Sequence, residues 1–189
     1  MKNLFRMSAL AMSILLVASC GNNTKKNNNV SDDISDSIVA DAIPDTTVYG
    51  VVGEASSMHS LQLITDAGDT ISYLFDVDDD SNPVQGGILA GDRMAVISKK
   101  NVDGEDEIVK AINLTSLIGR WTSIDKNFEI LEGGVVKSNV KAEKHPWVSW
   151  KIFNGHLILN ADTFDVDNLG ADSLYLENKE GVYAYKRAK

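Results

Sequence analysis

From Val48 onward, turn signals cut the chain into short stretches of β-branched and large apolar residues, none of them long enough for an ordinary helix. The clearest breaks are Ala67-Gly68-Asp69, Gly91-Asp92, Asp103-Gly104, Gly133-Gly134 and Asn154-Gly155. Between breaks, Leu61 and Leu63 flank Gln62, and Ile71 and Tyr73 flank Ser72. That period of two belongs to a strand with one buried face. A chain so punctuated builds a core only by assembling many short strands. The expected fold class is therefore all-β: two small antiparallel β-barrels in tandem, after a signal peptide and a flexible tether.

The first barrel is expected over residues 45–113. Val48–Val52, Leu61–Thr65, Ile71–Phe75, Met94–Ser98 and Ile108–Ile112 read as its strands. With Gly86-Gly87 and the Gly91-Asp92 entry, the segment resembles a small OB-like barrel. It is also strongly acidic. Residues 37–116 carry 14 acidic and 4 basic side chains, a net charge of −10, whereas residues 117–189 carry 10 of each. Such a field repels phosphate backbones, so nucleic acid is not an expected partner. Asp76, Asp78, Asp80 and Asn82 alternate as at the start of a calcium loop, but Ser81 stands where the turn glycine belongs and Gly87 where the bidentate glutamate belongs. A solvated acidic loop is the expectation there, and no metal site.

Leu114 to Trp121 opens the second segment, residues 114–189. With Leu117, Gly119 and Trp121 it resembles the leucine-x-glycine-x-tryptophan entry of the lipocalin-like lipoproteins of Bacteroidota. The resemblance implies a lipocalin-like barrel. The residues themselves supply about eight short strands: one at Trp121, then Phe128–Leu131, Val135–Ser138, Trp147–Phe153, His156–Asn160, Thr163–Val166, Ser173–Glu177 and Val182–Lys186. A tryptophan close behind a glycine can plug one end of a small barrel, so Gly119 and Trp121 are read as structural. Lipocalin-type barrels bind small apolar molecules, and eight strands stand at the margin where an interior can hold one. Trp147, Trp150, Phe153, Tyr175, Tyr183 and Tyr185 are the candidate lining residues, with strand alternation placing Trp147 and Trp150 on opposite faces. A filled core without a cavity is the alternative.

The connection Asn113–Leu117 has no Gly/Ser/Pro-rich spacer. Leu114 and Leu117 are therefore predicted to be buried at a fixed seam, with any ligand or partner site in the groove beside it.

Residues 1–19 read as a targeting segment. Lys2 and Arg6 precede the apolar run Ala9–Val17, and Val17-Ala18-Ser19-Cys20 resembles a bacterial lipobox, which implies cleavage before Cys20 and a palmitate-type acyl anchor on it. Cys20 is the only cysteine, so no internal disulfide is expected. Residues 20–44 are polar and read as a flexible tether. The first acids behind Cys20 are Asp32 and Asp33; among the resembling lipoproteins that spacing implies an outer-membrane anchor facing the periplasm.

His59, His145 and His156 stand in no zinc-binding spacing, and the chain carries no Gly-x-Ser-x-Gly elbow, phosphate loop or dinucleotide fingerprint. Asp162, Asp165, Asp167 and Asp172 read as a solvated turn. No catalytic residue and no cofactor is expected. The chain reads as a non-enzymatic, lipid-anchored envelope lipoprotein that binds a small apolar or amphipathic ligand. The alternatives are an accessory or inhibitory module of another envelope protein, and a hydrolase whose site only the folded chain assembles.

Overall fold

The structure is a computed structural model and describes residues 43–76 and 82–189. The predicted signal peptide, Cys20, most of the predicted tether and the centre of the acidic loop at Asp78 and Asp80 lie outside the described residues.

Six strands form the first sheet: β1 (Val48–Val52), β2 (Ser60–Thr65), β3 (Thr70–Leu74), β4 (Val84–Gln85), β5 (Arg93–Lys100) and β6 (Asp106–Asn113). β1 pairs antiparallel with β2 and β5, β2 with β3, and β5 with β6. A parallel contact between Leu74 and Glu107 brings β3 to β6 and closes these five strands into a ring; β4, which the sequence pattern did not signal, lies parallel to β6. Leu61, Leu63, Tyr73, Met94 and Val96 fill the ring, each almost entirely buried.

The eight strands of the second sheet are β7 (Gly119–Thr122), β8 (Asn127–Leu131), β9 (Val135–Ser138), β10 (Trp150–Phe153), β11 (His156–Leu159), β12 (Asp162–Leu169), β13 (Ser173–Asn178) and β14 (Gly181–Arg187). They form an antiparallel up-and-down barrel. Strands adjacent in the chain are adjacent in the sheet, and β14 returns to β7. The Val135–Ser149 bridge and the Val136 amide donating to Val148 draw β9 to the start of β10 and close the circle. Alternation sets the core: Phe128 and Ile130, Leu157 and Leu159, Phe164 and Val166, Leu174 and Leu176 point inward. A register shift between Val166 and Asn168 changes the phase of β12, so Leu169 also faces inward.

Between the sheets lies a single helical turn, α1 (Leu114–Leu117). Asn113 caps it, its Oδ1 accepting from the Ser116 amide at 2.9 Å. Leu114 and Leu117, three positions apart, both turn inward and are buried, as the connection's composition predicts. The barrel core extends past them to Ala95 and Ile112. Met94 and Val96 belong to the first core while Ala95 between them belongs to the second, so β5 is buried on both faces.

Asn113 is the one fully buried polar residue among those described, and its hydrogen-bonding capacity is used. Nδ2 donates to the Gly87 carbonyl at 3.0 Å and to Asp92 Oδ2 at 2.7 Å, while the nearby Ser116 hydroxyl donates to the Gly86 carbonyl. Further contacts fasten the sheets. Tyr49 donates its hydroxyl to the Ile152 carbonyl, and Asn154, at the tip of the β10–β11 turn, bonds to residues 44–47. Asp165 on β12 receives Lys110 of β6 at 2.9 Å and stands 3.0 Å from His156 Nδ1. Burial alone would raise the Asp165 carboxyl, but Lys110 and His156 outweigh it and hold it below the usual carboxylate range.

Candidate functional site

The two ends of the second barrel differ. The end beside α1 is shut. Trp121 is fully buried there, its Nε1 donating to the Leu117 carbonyl at 2.9 Å, and the Arg187 guanidinium stacks over its ring. Gly119 and Trp121, read from the sequence as a plug, both stand at this end. Their partner at the end of β14 went unread in the sequence, because nothing local to Arg187 distinguishes it from the other basic residues of the C-terminal stretch.

At the opposite end, where β7 turns into β8 and β12 begins, the barrel mouth holds an open depression of about 1250 Å³. Its floor is aromatic: Trp147, Phe164, Tyr183 and Tyr185. Edge-to-face contacts lock these rings, with Phe128 beneath. Phe128 meets Trp147 and Tyr185 at 5.1 Å, Trp147 meets Phe164 at 5.7 Å, and Phe164 meets Tyr183 at 5.9 Å. Trp147 is held further by its Nε1 donating to Asp162 Oδ2 at 3.1 Å and by Lys126 Nζ lying 4.4 Å above its ring. Lys126 is itself neutralised, since Glu143 accepts both from it and from the Ser138 hydroxyl. Those bonds outweigh burial and hold the Glu143 carboxyl below its usual range.

The Tyr185 ring is almost wholly buried. Burial, reinforced by Tyr183, Asp125 and Glu143, pushes its phenol up to about 12. It therefore stays a neutral O–H donor at every physiological pH, and its hydroxyl has no hydrogen-bond partner among the described residues. Around the floor runs an apolar rim of Ile124, Tyr175 and Val182, all exposed. At the mouth itself the charged residues of the rim are mostly acidic, Asp125, Asp162 and Glu180 against Lys126; Asp172 and Lys186, which also border the depression, lie toward the plugged end beside Arg187.

Of the six aromatics predicted to line a ligand site, Trp147, Tyr175, Tyr183 and Tyr185 border this depression. Trp150 and Phe153 do not. Trp150 packs against the core from β10 and donates its Nε1 to the Leu131 carbonyl at 2.7 Å, and Phe153, half-buried, lies under Lys151. Nor do Trp147 and Trp150 take opposite faces. Strand β10 begins only at Trp150; before it, the Val148 and Ser149 amides both donate to Asn160 Oδ1, and this irregular step brings both indoles to the core. The depression at the barrel mouth is also larger than the one beside the seam, a hollow of about 530 Å³ floored by Val84, Gly86 and Leu169.

The four aspartates of 162–172 do not converge. Asp162 serves Trp147 at the mouth, and Asp165 serves Lys110 and His156 at the seam. Among the described residues no three metal-ligating side chains gather, and no helix is long and apolar enough to cross a membrane. These features define a class: an all-β protein of two small barrels, the second plugged at one end by Trp121 and open at the other over an aromatic floor. No protein-family model, curated protein or solved structure matches the chain.

Proposed function

We propose that the protein is a non-enzymatic, lipid-anchored lipoprotein of the bacterial outer membrane, facing the periplasm, whose lipocalin-like second barrel binds a small apolar or amphipathic ligand at its open mouth. The carrying observation is the depression above Trp147, Phe164, Tyr183 and Tyr185, whose apolar surface is large enough for a drug-sized molecule. Tyr185 adds a neutral donor for one acceptor group on the ligand, while the acidic rim disfavours a carboxylate or phosphate there. The anchor rests on the resemblance of Val17–Cys20 to a lipobox.

A neutral fluorescent probe such as N-phenyl-naphthylamine tests the mouth. Saturable enhancement is expected, weakened by Tyr183→Ala; because this probe carries no good hydrogen-bond acceptor, Tyr185→Phe, which removes only the hydroxyl, should leave it unchanged and weaken only ligands that bear an acceptor group. Absence of saturable binding, together with native mass spectrometry showing no co-purifying small molecule, would overturn the reading. The anchor is tested separately by Cys20→Ser, for which an uncleaved or mislocalised precursor is expected; recovery in the membrane fraction at normal mature mass would contradict it.

A further inference from the structure

β13 pairs with β14 along the whole length of the two strands, from Ser173–Lys186 to Asn178–Gly181. On its other side β14 meets β7 only at Lys186–Thr122 and Arg187–Trp121. Past Thr122 the chain leaves the sheet in a turn closed by the Ser123 amide donating to the Lys126 carbonyl at 2.7 Å. The direction of the β14 main-chain groups follows from bonds at its end. Arg187 N–H donates to Asp172 on the β13 side, and Ala188 N–H donates to Arg120 on the β7 side. With a period of two, Val182 and Ala184 turn their N–H and C=O groups away from β13 and into the lateral gap. Among the described residues nothing pairs with them there. An unpaired stretch of this kind is a template for an added strand.

The walls of the gap narrow the choice of occupant. Ile124 is fully exposed on one side, and Val182 and Tyr175 are 57% and 40% exposed on the other. Asp125 and Glu180 line the same opening. We infer that the β14 edge at Val182–Ala184 takes an extended segment of another protein as an added strand, with apolar side chains against Ile124 and Tyr175 and basic side chains against the rim carboxylates. A second copy of this chain is the poorer occupant, because edge-to-edge pairing sets the same acids of both copies opposite each other. A small molecule on the aromatic floor is held by side chains and needs none of these main-chain groups, so this inference and the ligand reading stand or fall separately.

Fluorescence anisotropy of the full-length protein with a dye-labelled peptide alternating Lys with Val and Tyr tests the edge. Saturable binding is expected. Methylating the peptide nitrogens that face the edge should weaken it about tenfold, the loss of one or two net hydrogen bonds. Replacing Lys by Glu should weaken it as well. Ala184→Pro removes the edge amide while leaving the β13 ladder intact, a position where proline is tolerated, and should weaken binding similarly without lowering Tm. If that variant does unfold, the methylated peptide on the unaltered chain decides. Equal affinity for methylated and unmethylated peptides overturns the inference, as does the absence of saturable binding. So does a homodimer in solution that Ala184→Pro dissociates. Peptide that displaces the naphthylamine probe yet ignores backbone methylation would place it on the aromatic floor, sinking the edge and sparing the mouth.

Discussion

The guanidinium carbon of Arg187 lies 4.2 Å from the ring centroid of Trp121, joining the end of the chain to the start of the second barrel. The same side chain donates to the carbonyls of Ala171, Ile118 and Ser116, so one cation ties the β12–β13 turn to the α1 connection while covering the plug. Gly119 belongs to the arrangement: a Cβ there would run into the guanidinium. Arg187→Ala should destabilise the protein by roughly 2–4 kcal/mol, from lost charged hydrogen bonds and the cation–π contact. Arg187→Lys should recover less than half of that, because an ammonium cannot reproduce the fork. Urea unfolding followed by tryptophan fluorescence checks both; an unchanged midpoint for Arg187→Ala would refute the closure.

What the sequence made legible was period and punctuation. The strands around Leu61–Leu63, Phe128–Ile130 and Leu174–Leu176 alternate cleanly, and Asn154-Gly155 makes the hairpin turn it signals, so the all-β architecture followed. Half of the mouth followed too, since aromatic residues at strand spacing in a barrel point either inward or at the rim. The rest depends on long-range pairing that no local window contains. Arg187 meets Trp121 on the neighbouring strand β7 although the whole second segment separates them in sequence, Asp162 finds Trp147 across an irregular step, and Lys126 finds both Trp147 and Glu143. The step itself is made by Asn160, whose side chain takes two consecutive amides and so defeats an alternation count that started at Trp147.

Asn113 and Gly86 form a second long-range pair. Gly86 has φ +96°, and an added Cβ would stand 2.7 Å from Asn113 Cβ and 2.9 Å from Leu169 Cδ2. Asn113→Ala leaves the Gly87 carbonyl, Asp92 and the Ser116 amide short of a partner, so a cost of roughly 2–4 kcal/mol is expected. Gly86→Ala should also destabilise, through backbone strain and the clash. Because strain at Gly86 already displaces the Gly86 and Gly87 carbonyls to which Asn113 Nδ2 donates, the double variant should lose less than the sum, which a double-mutant cycle on Tm or urea midpoints measures. Strict additivity would show that the pair acts as two independent sites.

Acid should loosen the seam and the mouth. Burial raises the Asp165 and Glu143 carboxyls, but their partners outweigh it and hold both below their ordinary values of 3.8 and 4.5. A group depressed in the folded chain binds protons more readily when unfolded. Its stabilisation is therefore complete above the ordinary value and is lost as pH falls through the lower folded one. Stability should be flat from neutral pH down to about the ordinary carboxylate range and then decline. In Asp165→Asn and Glu143→Gln the decline should be shallower, with lower stability at neutral pH. Urea midpoints measured across this range that fall in parallel for parent and variants would exclude these two carboxylates as the cause.

Asn154 ties residues 44–47 to the second barrel. Its Oδ1 accepts from the Thr46 amide at 2.8 Å and the Thr46 hydroxyl at 3.0 Å, its Nδ2 donates to the Pro44 carbonyl at 3.1 Å, and its own amide donates to Thr47 Oγ1 at 3.0 Å. Residue 44 is where the predicted tether ends, so this turn secures these residues to the second barrel even though the first barrel comes next in sequence. The residue also has φ +47°, which asparagine tolerates better than alanine. Two substitutions separate backbone from side chain. Asn154→Gly keeps the conformation and removes the side-chain bonds; Asn154→Ala removes the bonds and adds strain of about 1 kcal/mol. Both should speed hydrogen exchange at the Thr46 amide to the same degree, while alanine lowers Tm further. Slow exchange at Thr46 in the glycine variant would mean that residues 44–47 are held by Asp45 and the β1 strand alone, and that Asn154 contributes only its turn.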